Sequence, residues 1–168
     1  LPSLTSGEKF GAYCLTEPEA GSDANSGKTT ADLTADGKHY KLNGQKMWIS
    51  NAGFAEIFIV FGRIENDKNI TAFILEFDKN NPNGVTLGEE ENKLGIISSS
   101  TRQVFFTDTM IPVENMLANR GEGFKIALNS LNVGRIKLGA ACTDASRRLI
   151  TESVKYGNER KQFKTAIS

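Results

Sequence analysis

Apolar and polar positions alternate with a period of two over the first two thirds of the chain, then change to a helical period. Phe10 to Leu15 is a short apolar strand that runs into a polar loop. Thr29 to Thr34 alternates and ends in Ala35-Asp36-Gly37, a hairpin-turn signal, and Tyr40 to Leu42 restarts the partner strand. Asn43-Gly44 predicts a second turn or a bulge before Lys46 to Ser50. Ile57 to Ile64 and Ile70 to Phe77 are apolar and β-branched, joined by the polar Asn66 to Asn69. Asn80 to Gly84, with Pro82, is another turn, and Val85 to Leu87 and Gln103 to Phe106 follow as strands. About six to eight short strands at this spacing predict a closed β barrel or an orthogonal sandwich.

Ile111-Pro112 closes the β region. After Gly121-Glu122-Gly123, apolar residues fall at Phe124, Ala127, Leu128, Leu131, Val133, Ile136, Leu138 and Ala141, then at Ala145, Leu149, Ile150, Val154 and Tyr156. That spacing predicts α-helices, with a local break near Gly134. A domain change is expected between Leu117 and Gly123, which divides the chain into a β part, residues 1–117, and a helical part, residues 118–168.

A chain of 168 residues holds one domain, or one domain and part of a second. Its 20 basic and 20 acidic side chains cancel, without a clustered basic face, which argues against nucleic acid or an anionic membrane surface as partner. No leader or long apolar run is visible. Cys14 and Cys142 lie in elements of different kinds and read as two buried free thiols, in keeping with a reducing compartment. The lone His39, after an Asp-Gly turn, reads as an exposed strand residue, and no second histidine exists to build a metal site with it.

The densest chemistry lies in Tyr13 to Asp23, YCLTEPEAGSD. A strand here opens into small residues, hydroxyls and carboxylates. With little bulk at Ala20 and Gly21, backbone N–H groups and hydroxyls can approach a flat polar ligand. A structural turn built from the same Gly, Pro, Ser and Asp is the alternative reading.

Glu17, Pro18, Gly21, Ser22 and Asp23 stand as in the signature of the acyl-CoA dehydrogenases. The resemblance continues through NGQKMWISNAG (Asn43 to Gly53), the Asn132 to Arg135 segment and ERKQF (Glu159 to Phe163), so that it covers essentially the whole chain. ISNAGFAEIF (Ile49 to Phe58) and LNVGR (Leu131 to Arg135) resemble the very-long-chain branch most. The resemblance implies a middle β-barrel domain followed by the opening helices of a C-terminal bundle. It further implies that an N-terminal helical domain and most of the C-terminal one fall outside this stretch.

Such enzymes oxidise a fatty acyl-CoA thioester to its trans-2-enoyl form with FAD. The resemblance assigns FAD contacts to Tyr13, Leu15, Thr16, Gly21, Ser22, Trp48, Ile49 and Ser50. The Thr16 hydroxyl suits a pyrimidine edge that carries both N–H and C=O groups. Trp48 would wall the ring, with the Ser50 hydroxyl on the same strand face. Relatives often carry Thr where Ser50 stands. Arg160, Gln162 and Phe163 match a contact with the FAD of a neighbouring subunit, which implies a homodimer or homotetramer. Relatives continue with Gly where this chain has Lys164. Ser22, Asn132 and Arg135 are the implied acyl-CoA contacts.

Glu17 and Asp23 are expected to hold the loop by accepting backbone N–H bonds, not to act as bases. No carboxylate here has the context of the family's catalytic base, which is expected outside this stretch, so these 168 residues alone are expected to be inactive. The implied electron acceptor is an electron-transfer flavoprotein, and the implied location is a bacterial cytoplasm or a mitochondrial matrix. Two alternatives remain: a flavoprotein of the same fold with acyl-CoA oxidase-like chemistry, and a non-catalytic scaffold barrel.

Overall fold

The computed structural model describes residues 2–168. Two compact units divide between Ala127 and Leu128. The first opens with a short helix, α1 (Pro2–Thr5), followed by strands β1 (Gly11–Cys14), β2 (Thr30–Leu33), β3 (His39–Ser50), β4 (Ile57–Ile64), β5 (Thr71–Glu76), β6 (Val85–Glu90), β7 (Thr101–Pro112) and β8 (Met116–Leu117). These form one eight-stranded mixed sheet in the order β6-β7-β3-β2-β4-β5-β8, with β1 pairing in parallel with β4. Helix α2 (Gly123–Glu159) comes next, and β9 (Lys161–Gln162) and β10 (Thr165–Ala166) form a small terminal hairpin.

One face of strands β1 to β5 and β7 feeds a single core. Ala12, Cys14, Leu42, Phe58, Val60, Phe73, Val104 and Ile111 meet there, all almost fully buried. For side chains from both ends of the strand order to share one cluster, the sheet must wrap around it. The other face of β4 and β5 is covered too. Leu15, Phe61, Ile70 and Ala72 pack with Ala127 and, at their edge, Phe124 at the start of α2. This is why β4 reads as a near-continuous apolar run: it is covered on both sides. Gly123 makes the approach possible, because a Cβ there would lie 2.7 Å from the Ile70 carbonyl oxygen.

Several expectations change. Of the two forms expected at Asn43-Gly44 the bulge is the one found, inside one twelve-residue strand, with a register shift between Leu42 and Gly44 against β7. Gly44 has φ +149°, and a Cβ there would fall 2.8 Å from the Thr29 Cα, so only glycine fits. α2 runs unbroken through Gly134, since a single glycine inside a long helix costs only about 1 kcal/mol. Cys14 is buried but Cys142 is exposed on α2, and both are free. His39 opens β3 half-buried rather than exposed. Along the second unit, Val133, Ile136, Leu138, Leu149, Ile150 and Val154 of α2 remain exposed.

Candidate functional site

The polar loop after β1 is tied to the middle of β3. The Met47 N–H donates to the Thr16 carbonyl oxygen at 2.9 Å, which sets Thr16 beside Trp48, Ile49 and Ser50. A second irregularity in the β3–β7 register lies between Lys46 and Ile49, where Trp48 takes a left-handed φ of +57° and is 59% exposed. An aromatic residue in that region is strained by about 1–2 kcal/mol. The bulge keeps Trp48 and Ser50 exposed while Ile49 points into the core at 2% exposure. Ile49 therefore has only its backbone left for a ligand.

The loop closes on itself through paired bonds, Glu17 N–H to Ala20 O and Ala20 N–H to Glu17 O, each 3.1 Å. Ala20 is buried by this turn and does not front the loop. Gly21 and Ser22 are exposed beyond it. Tyr13 packs its ring on Phe61, centroids 5.1 Å apart, and its buried hydroxyl has no partner among the described residues. Burial pushes that phenol up to about 12.

Beneath the loop lies a buried ion pair that the sequence reading passed over. Lys46 Nζ donates to Glu17 Oε1 at 2.6 Å and to the Leu15 carbonyl oxygen at 3.3 Å, with 2% of the lysine residue exposed. The Glu17 carboxylate also accepts the Lys28 N–H at 2.6 Å and the Thr29 N–H at 3.2 Å. Burial pushes Glu17 up, but the Lys46 ammonium and the bonds from Lys46, Thr29 and Lys28 outweigh it and leave the carboxyl below its ordinary value. Burial holds Lys46 below its ordinary value, partly offset by Glu17. The signal was available: Lys46 occupies an inward position of β3, as Tyr40 and Leu42 do, and an inward lysine requires a carboxylate. Glu17 is thus a loop-holding acceptor, committed on all sides. Glu19 is an exposed surface partner of Lys28.

The turn after Ser50 is also fixed. Asn51, at φ +66°, donates through Nδ2 to the Gly11 carbonyl oxygen at 3.0 Å. Its N–H reaches Ser100 O at 3.0 Å. Glu90 accepts from Ser100 Oγ, the Thr101 N–H and Arg102 Nε at 2.7, 2.9 and 2.7 Å.

Asn132, Arg135, Arg160, Gln162 and Phe163 belong to the second unit. Arg135 Nη1 donates to Asn132 Oδ1 at 2.9 Å across one turn of α2. Gln162 lies in the terminal hairpin, and Phe163 and Lys164 form its two-residue turn with φ +50° and +67°. Phe163 is 93% exposed.

A family model described as acyl-CoA dehydrogenase, middle domain, matches residues 12–109, and one described as acyl-CoA dehydrogenase, C-terminal domain, matches residues 121–168. The chain belongs to the acyl-CoA dehydrogenase family. It is 48% identical, at a TM-score of 0.88, to a crystal structure of an acyl-CoA dehydrogenase complexed with FAD from Bacillus anthracis, over 99% of this chain and 28% of that one. It is 44% identical to the mitochondrial very long-chain specific acyl-CoA dehydrogenase of Macaca fascicularis, over 97% of this chain and 26% of the relative. A short-chain specific acyl-CoA dehydrogenase of Clostridium acetobutylicum is 43% identical, over 97% of this chain and 42% of its own length. The chain thus spans between 26% and 42% of the length of these relatives. The middle domain and the start of the C-terminal helical domain account for the eight-stranded sheet and the long helix.

Proposed function

We propose that this chain is the flavin-holding part of an FAD-dependent acyl-CoA dehydrogenase that oxidises long-chain fatty acyl-CoA to trans-2-enoyl-CoA in fatty-acid β-oxidation. One observation carries the reading. Thr16 and Trp48 are brought together by the Met47 bond, and the pair offers an exposed aromatic wall beside a backbone N–H that has no partner among the described residues, that of Thr16. An unpaired N–H beside an exposed, strained tryptophan fits a flat heterocycle with acceptor atoms along one edge. The residues present therefore fit FAD. Tyr13, Leu15 and Thr16 would hold its polar edge, Trp48 and Ser50 would lie along the ring, and Gly21 and Ser22 would meet its phosphates and the thioester. Arg160, Gln162 and Phe163 would reach the FAD of a second copy in a homodimer or homotetramer. Arg135 and Asn132 would line the acyl-CoA path.

When bound, FAD accepts the electrons that leave the acyl chain. The protein's part is to orient the ring, keep water from the reacting carbons and place the thioester. Glu17 is unsuited to be the base, because its lone pairs are already taken. The long-chain preference is drawn from the likeness of Ile49 to Phe58 and Leu131 to Arg135 to the very-long-chain branch, one member of which is 44% identical to this chain. An electron-transfer flavoprotein is the proposed acceptor.

The test is anaerobic titration of the purified intact enzyme that carries this stretch with palmitoyl-CoA and butyryl-CoA, followed by flavin absorbance. Bleaching by palmitoyl-CoA with little from butyryl-CoA is the expected result. Bound flavin that ignores both thioesters would point to another flavoprotein chemistry on this fold. Protein without flavin would leave a scaffold.

A further inference from the structure

Lys46 and Glu17 form a buried pair directly behind the Thr16–Trp48 floor, and stability alone does not account for it. Two charges taken out of water gain little over well-packed apolar residues of the same size. What distinguishes the pair is its placement. Lys46 is two positions before Trp48, and its ammonium sits on the Leu15 carbonyl oxygen. That carbonyl shares one peptide group with the Thr16 N–H, which has no partner among the described residues. A cation on the oxygen of an amide draws electron density from its nitrogen and makes the N–H a stronger donor, the more so in a low-dielectric interior. The Glu17 carboxylate is turned the other way, toward the Lys28 and Thr29 N–H groups. The ammonium, not the carboxylate, is therefore the member of the pair that touches the Leu15–Thr16 peptide.

We propose that Lys46 and Glu17 are positioning residues for the flavin: the pair locks the Leu15–Thr16 peptide and, through it, sharpens the donor presented to the electron-rich edge of the ring. This rests on the flavin reading above. A positive charge behind that edge favours the form of the flavin that carries more electrons, so the pair raises the potential at which the bound flavin is reduced, besides tightening its binding.

The experiment is made on the purified flavoprotein, with FAD affinity, the midpoint potential of the bound flavin and the thermal midpoint read together. Lys46→Met with Glu17→Gln removes both charges at similar volume and leaves no unpaired ion. This double variant should fold with a thermal midpoint near the wild type, bind FAD about tenfold more weakly and reduce at a lower potential. Lys46→Met alone leaves the Glu17 carboxylate, still held by the Lys28 and Thr29 N–H groups, without the ammonium and should reduce at a potential lower still. If the double variant does not fold, the single variant carries the test by the same sign. Downward shifts of potential in both variants, with the thermal midpoint of the double variant kept, support the proposal, because a purely structural role would not give them. Wild-type affinity and potential in both variants would overturn it while leaving the flavin reading intact. A wild-type protein that holds no FAD would overturn that reading and this inference together.

Discussion

The Met47 N–H donates to the Thr16 carbonyl oxygen at 2.9 Å, and this single bond joins the loop after β1 to the bulged centre of β3. Residues far apart in sequence become neighbours by it, and Trp48 is left exposed next to a backbone donor that has no partner among the described residues. The arrangement spends stability on presentation.

Trp48→Gly should separate folding from binding. Glycine adopts φ +57° without a Cβ penalty, which relieves about 1 kcal/mol and roughly offsets its greater freedom in the unfolded chain. The thermal midpoint should stay at or above that of the wild type. FAD affinity should fall at least about tenfold, as the ring loses its apolar wall. Calorimetry and flavin titration on the same sample check both; a large drop in the thermal midpoint would contradict the strain argument.

Gly44→Ala should do the reverse and act on the fold. The new Cβ would fall 2.6 Å from Thr29 Oγ1 and 2.8 Å from its Cα, so β2 must move away from β3. A loss of about 1–3 kcal/mol is expected, read as a lower urea midpoint with an unchanged slope.

Glu90 sets an acid limit on the turn after Ser50. Bonds from Ser100, Arg102 and the Thr101 N–H push its carboxyl from 4.5 down to about 2. The folded-state value is depressed, so its contribution is complete above pH 4.5 and is lost as pH falls toward 2. Thermal midpoints of the wild type should decline through that window. Those of Glu90→Gln should start lower and decline less; parallel curves would exclude Glu90 as the cause.

Lys164→Gly should firm the terminal hairpin. Phe163 and Lys164 both need positive φ, as a type I′ turn demands, and a glycine at the second position suits that turn best. A gain of about 0.5–1 kcal/mol in local stability is expected. Amide exchange at Ile167, whose N–H bonds to Gly157 O and Arg160 O at 3.1 Å, should slow several-fold. Unchanged exchange would mean that the hairpin opens by another route.

Most strands were legible because β4 and β5 are apolar enough to announce themselves, and because Asp36-Gly37 fixes the β2–β3 hairpin. The full length of β7 was not. Polar residues such as Arg102, Gln103, Thr107 and Asp108 interrupt its apolar pattern, and its pairing with β3 and β6 over distance supplies what propensity lacks. Gly134 suggested a helix break that the backbone does not need. At the candidate site, Thr16, Trp48 and Ser50 could be named from the family motif, whereas Lys46 shows only as a lysine at an inward position of β3. Its role depends on Glu17, 29 positions away, and a partner at that range has no local signature. The exposure of Cys142 was illegible for a similar reason: whether one face of a helix is covered depends on what packs there.

The parallel pairing of β1 with β4 also fixes an order of assembly. The β2–β3 and β4–β5 hairpins close short loops and can form early. β1 must find β4 across a separation such as the 46 positions between Phe10 and Glu56, which are joined by a 2.8 Å bond. The loop that carries Thr16 hangs from β1, so it is seated only once β1 has found β4. A nascent or heat-stressed chain would keep its hairpins while its ligand-facing loop is still open, and a ligand that bridges Thr16 and Trp48 would act as the last stitch of folding.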